Sequence, residues 1–157
     1  MFRQLLFTAA LFASSSAFAA PASKFLGDAI QGDNSETRVG NLIATRGSSA
    51  AVRSFGRTLA RDHSNARVQA ASLAHRMHVA VPTTMMPEAR SEYAKLQRLH
   101  GRAFDREVRR YMIEDHQTDI SKFSEQARHG DRQTARLAQA TLPTLRKHLR
   151  IAESLPR

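Results

Sequence analysis

The chain has 157 residues, no cysteine, and 24 basic against 14 acidic side chains, for a net charge of +10. Without cysteine it forms no disulfide, no thiolate-bound metal site and no lipid-modified N-terminal Cys, and thiol catalysis is excluded. Twenty of the basic residues are arginine, spread over the chain without a dense block, a balance that points either to anionic partners or simply to solubility.

The first nineteen residues read as a secretory leader. Met1-Phe2-Arg3 is a short positive segment, Leu5 to Phe12 is apolar, and Ala17-Phe18-Ala19 is an A-x-A cleavage site. The alternative is a membrane anchor, but the apolar run falls short of the ~20 residues that a spanning helix needs. The expectation is a leader at 1–19, cleavage before Ala20, and a single domain over 20–157 without a transmembrane span. That length suffices for one ordinary core and not for two. Export to the periplasm argues against nucleic acid and leaves an anionic envelope surface or a protein as the expected partner; association with the outer membrane is compatible with it.

Sustained period-two alternation is absent, whereas helical periodicity is plain in four long segments. The first predicted helix runs from about Lys24 to Thr45, with Phe25, Ala29, Val39 and Ile43 on its apolar stripe and Leu26, Ile30 and Leu42 flanking it. Gly32-Asp33-Asn34 weakens its middle and allows a bend. Arg46-Gly47 closes it, and Ser48 or Ser49 caps a second helix. The second stripe reads Val52, Phe55, Leu59, Ala66, Ala70, Leu73 and Met77. Val81 to Pro87 is a loop, followed by a short helix from Glu88 to about Leu99. A third long helix from Arg102 to Arg128 buries Phe104, Val108, Met112, Ile120, Phe123 and Ala127. Gly130-Asp131 ends it and starts a fourth, to about Ser154, with Ala138, Leu142, Leu145, Leu149 and Ala152 inside. Pro143 removes one backbone donor there, so a kink is expected. The fold class is therefore all-α: an antiparallel four-helix bundle with a short extra helix in its longest connection. That layout suits a bundle with one long crossover, as in ferritin-like folds; a plain up-down-up-down bundle is the alternative.

Four polar residues interrupt the stripes. Glu36 lies seven residues after Ala29 and seven before Ile43; His63 lies four after Leu59; His116 four after Met112; His148 three after Leu145. Each long helix thus turns one metal-capable side chain inward. Asp105 and Asp119 share nearly the face of His116, and Asp62 adjoins His63. Isolated buried charges are costly, so Glu36, His63, His116 and His148 either hold a divalent transition metal (zinc, copper or iron), satisfy one another in a metal-free network, or stay partly exposed. Their heights along the helices differ by roughly 7 Å within the first helix pair at 1.5 Å per residue, so the spacing permits convergence without requiring it. His75 and His78 read as a solvated helix end. There is no Gly-rich phosphate loop, no G-x-S-x-G and no H-E-x-x-H, so no catalytic residues are assigned.

Phe25 to Ala44 with its inward Glu36, Arg61-Asp62-His63, Gly101-Arg102-Ala103-Phe104-Asp105, Asp115-His116 and Leu142-Pro143-Thr144-Leu145-Arg146-Lys147-His148-Leu149 occur in an order and spacing that resembles a known group. It is the exported bacterial family catalogued as domain of unknown function 4142, often labelled an outer membrane protein. The resemblance implies a ferritin-like bundle and an envelope location, and no activity. Di-iron sites of ferritin-like proteins use E-x-x-H from two helices; this chain has no E-x-x-H, which speaks against iron oxidation and storage. Two functional readings follow: a non-enzymatic binding or stress-related envelope module, and a metal-binding or redox protein using the inner Glu/His cluster.

Overall fold

A computed structural model describes residues 20–156; the expected leader lies outside the described residues. Five helices follow in order: α1 (Ala22–Arg46), α2 (Ala50–Arg76), α3 (Pro87–Leu96), α4 (Gly101–His129) and α5 (Arg132–Ser154). No strand occurs among the described residues. No helix among the described residues is long and apolar enough to cross a membrane.

The turns follow from local chemistry. The Ser49 hydroxyl accepts from the Val52 N–H and caps α2. The Asp131 carboxylate accepts from the N–H groups of Gln133 and Thr134 and caps α5. Asp105, eleven residues before His116 on α4, holds the α1–α2 turn instead of any ligand: its carboxylate accepts from the Ser48 N–H, the Ser48 hydroxyl and the Ser49 N–H. α1 and α2 can lie so close because Gly40 and Gly56 face each other; a Cβ on Gly56 would stand 2.4 Å from the Ala44 nitrogen and 2.7 Å from the Gly40 carbonyl.

Hydrogen bonds fix the topology. Beyond α2, the chain climbs beside α1 rather than turning straight into the next long helix. Asn34 donates to the carbonyls of Pro82 and Thr84, the Met86 N–H donates to Ser35, and near the far end Arg46 donates to the carbonyls of Gln97 and Leu99. The connection thus traverses the bundle, and α4 starts at the end where α1 finishes. This is the bundle with one long crossover; the up-down-up-down alternative falls. α1 packs tightly on α2 and α4 on α5, whereas α1 and α4 meet loosely.

α1 runs through Gly32-Asp33-Asn34 without interruption, and Asp33, Asn34, Ser35 and Glu36 are all buried: Asp33 and Asn34 bond His63 and Arg67 of α2, and the crossover covers Asn34 and Ser35. Leu26 and Ile30, read as flanking, are fully buried. The core is also not one continuous apolar body. One cluster, around Val39, Ile43, Phe55, Leu59, Phe104 and Met112, fills the end near the α1–α2 turn. A second, around Phe25, Leu26, Ile30, Leu73 and Ala138, fills the other. A belt of buried polar side chains lies between them. α5 continues through Pro143, which lies on the exposed face.

Candidate metal centre

His63, His116 and His148 come from α2, α4 and α5 and meet in this belt. All three are buried, His148 completely. Their ring centroids are 5.2–5.8 Å apart, and one ring nitrogen from each falls within 4.8 Å of the other two. His116 Nε2 lies 3.3 Å from His148 Nδ1.

Glu36 is placed differently from the three imidazoles. Its carboxylate groups with Asp115 and His116 within 4.8 Å, and it does not complete a four-residue set with His63 and His148. The α1–α2 register explains this. The α1 residue level with His63 is Asp33, 2.9 Å away, while Glu36 lies almost one turn further along and faces α4.

Each imidazole has one nitrogen already committed. His116 Nδ1 donates to the Met112 carbonyl at 3.0 Å, His148 Nε2 to Asp62 at 3.0 Å, and His63 Nδ1 to Asp33 at 2.9 Å. These roles follow from the partners, since carbonyls and carboxylates can only accept. Burial works against ionisation of Asp62, but hydrogen bonds from His148, Arg61 and Lys147 outweigh it and hold the carboxyl down at about 2. Flipping the His148 tautomer would therefore aim a lone pair at an anion. In the neutral state the remaining nitrogens, His63 Nε2, His116 Nε2 and His148 Nδ1, carry lone pairs. His63 Nε2 is buried and has no hydrogen-bond partner among the described residues, and the other two face each other. A proton could join them, but burial and the neighbouring imidazoles push His116 well below the usual histidine range and His148 down to about 4. A cation bound by three neutral imidazoles satisfies all three nitrogens, and each ring is oriented from behind in the way metal-bound histidines are. Ligand bonds of ~2.0–2.1 Å would require only a small inward shift from the separations observed.

Beside the imidazoles, between α1 and α4, lies a cavity of about 530 Å³ bordered by His63, Glu36, Asp115 and Asp119, with Phe25 and Phe123 among its apolar walls. Its carboxyls are strongly perturbed. Burial, then the charges of Asp115, Asp119 and Asp33, raise Glu36 well above the carboxylate range. Burial and Asp119 push Asp115 up to about 7. Burial also raises Asp33 and Asp119. Sequence reading noted Asp62 and Asp119 but gave no role to Asp33 or Asp115. Asp33 was detectable, three residues before Glu36 on one helix face; its role in a supposed bend concealed it.

These shifts set a pH dependence for the metal-free protein. Raised carboxyls retain protons in the folded chain that the unfolded chain has lost, so their contribution is full below the ordinary carboxylate range and is lost as pH rises through about 7. His148 acts oppositely: its contribution is full above 6.5 and is lost as pH falls toward about 4. Between about pH 8 and pH 6.5 only the first effect operates. Thermal melts of metal-free protein should show Tm rising over that interval on acidification, and Glu36→Gln should flatten the slope. A Tm that falls would mean that Glu36 and Asp115 are ionised in the fold.

An all-α bundle with one long crossover and three inward imidazoles across its middle is the class that fold and site define. The chain belongs to the family described as domain of unknown function DUF4142, which it matches over residues 8–155. It is similar in structure to a DUF305 fragment from Deinococcus radiodurans, solved by crystallography, with a TM-score of 0.74 and 21% identity over 87% of this chain and 95% of that one. At that identity the likeness shows the fold alone. No curated protein matches the chain.

Proposed function

We propose that this chain is an exported envelope protein that binds one divalent transition-metal ion, zinc or copper, through His63, His116 and His148. The observation that carries the reading is the arrangement of donors: every imidazole is anchored through one nitrogen, and the three that remain converge, that of His63 with no hydrogen-bond partner among the described residues. Three neutral nitrogen ligands suit zinc and copper, and copper binds such sets most tightly. Iron is less well served, because neither the thiolates nor the carboxylate bridges of iron sites are part of this set. A metal-free network is disfavoured by the lone pairs it leaves facing one another. The role is one of binding; no nucleophile or reaction is assigned. Export rests on the leader-like residues 1–19, and N-terminal sequencing of protein from the periplasmic fraction should give a start near Ala20; a cytoplasmic chain retaining Met1 would remove it.

The metal reading is tested by calorimetric titration of metal-free, untagged protein with zinc, copper and ferrous iron. Zinc and copper should each bind with a stoichiometry of one and be released on acidification, because coordination needs neutral imidazole. Absence of stoichiometric binding of any of the three leaves the non-enzymatic, metal-free module as the surviving reading.

A further inference from the structure

The cavity beside the imidazoles has a charge opposite to that of the molecule. In a chain of net charge +10, eight of the fourteen acidic residues border this one cavity, with Lys122 as its only basic side chain among the described lining residues. Glu36 is 2% exposed, and neither of its carboxylate oxygens has a hydrogen-bond partner among the described residues. One oxygen of Glu36 and one of Asp115 lie within 4.8 Å of each other and of a His116 ring nitrogen. Asp119 follows Asp115 by one turn of α4 and borders the same space.

We infer that Glu36 and Asp115, with Asp119, form a second and chemically different cation site that takes a hard divalent ion such as manganese or calcium through carboxylate oxygens. His116 stands between the two sites but is not shared. Its Nδ1 is engaged by the Met112 carbonyl and its Nε2 faces His148, so the second ion depends on oxygen. Hard cations retain several waters, and the cavity has room for them. Charge balance favours the pairing. Three neutral imidazoles leave a buried dication uncompensated, whereas Asp33, Glu36, Asp115 and Asp119 together supply the negative charge for two.

The inference goes beyond the imidazole site and stands without it, so the two fail separately. Terbium is an oxygen-seeking probe, and Tyr111 borders the cavity in a chain with no tryptophan. Terbium added to the purified protein and excited through tyrosine should give saturable emission from one site, displaced by manganese. Emission should persist in a His63→Ala/His148→Ala variant and fall at least tenfold in affinity in Glu36→Gln/Asp115→Asn. Circular dichroism checks the fold of each. Glu36→Gln alone keeps the shape of the buried side chain and removes only its capacity to ionise, which makes it the safer second variant. The inference is overturned by emission that never saturates, by emission indifferent to Glu36→Gln, or by failure of manganese to displace terbium. It is equally overturned if the cobalt absorption spectrum of the imidazole site changes in Glu36→Gln while terbium does not bind, because Glu36 would then be a fourth ligand of the first ion.

Discussion

Replacing His116 and His148 together with alanine is expected to abolish stoichiometric zinc and copper binding and the thermal stabilisation that either ion gives. An ion that binds only the folded chain stabilises it by about 2.7 kcal/mol when present at a hundredfold excess over Kd, so the wild type should show a clear rise in Tm with added metal and the double variant none. The change removes two of three converging donors and leaves His63 Nε2 alone. The supporting carboxylates should matter to a lesser degree. Asp62 orients His148 and Asp33 orients His63, and loss of such partners usually costs about 10–100-fold in metal affinity. Asp62→Asn should therefore weaken binding without removing it. Calorimetry on the three proteins checks the order. Equal binding by the wild type and the double variant would place the ion elsewhere.

Phe55→Ala is expected to cost roughly 3–5 kcal/mol of folding stability, in the range for buried phenylalanine, as measured by denaturant unfolding. Phe55 is 2% exposed, belongs to the apolar cluster near the α1–α2 turn, and lies edge-on to the His148 ring at 6.3 Å between centroids. Its loss opens a void directly beneath one of the imidazoles, so metal affinity should fall together with stability. Phe123→Ala should cost less. Phe123 packs on Phe25 at 5.1 Å between centroids but is only half-buried, on the wall of the cavity. Comparable costs at both positions would mean that the cavity is closed in solution.

Fold and site were legible to different depths. The four long helices, both tight turns and the Ser49 and Asp131 caps follow from periodicity and capping chemistry, which act within a few residues. The inward direction of His63, His116 and His148 follows from the same periodicity, since a helix face is a local property. What stayed hidden depends on neighbours that only the tertiary fold supplies. Gly32-Asp33-Asn34 read as a weak point because propensity counts Gly and Asp against a helix; the crossover, through Pro82, Thr84 and Met86, helps to bury Asn34 and Ser35 there. Asp105 looked like a companion of His116 because three helical turns nearly restore the same direction, yet it stands at the far end, on the turn between α1 and α2. The separation of Glu36 from the imidazoles depends on a register set by the Gly40–Gly56 contact, which no spacing along a single helix encodes.

The polar belt sits on the seam between two hairpins, α1–α2 and α4–α5, which meet only after the long crossover has brought them together. His63 belongs to the first hairpin and His116 and His148 to the second. Neither hairpin alone presents three imidazoles, so an ion held there is gained only once the two halves have docked. Interactions that form after the folding transition state leave the folding rate almost unchanged and slow escape from the native state. In this cysteine-free chain a metal ion on the seam would take the part that a disulfide plays elsewhere: a clasp between two halves, which lengthens the lifetime of the folded protein and opens again when the ion is withdrawn.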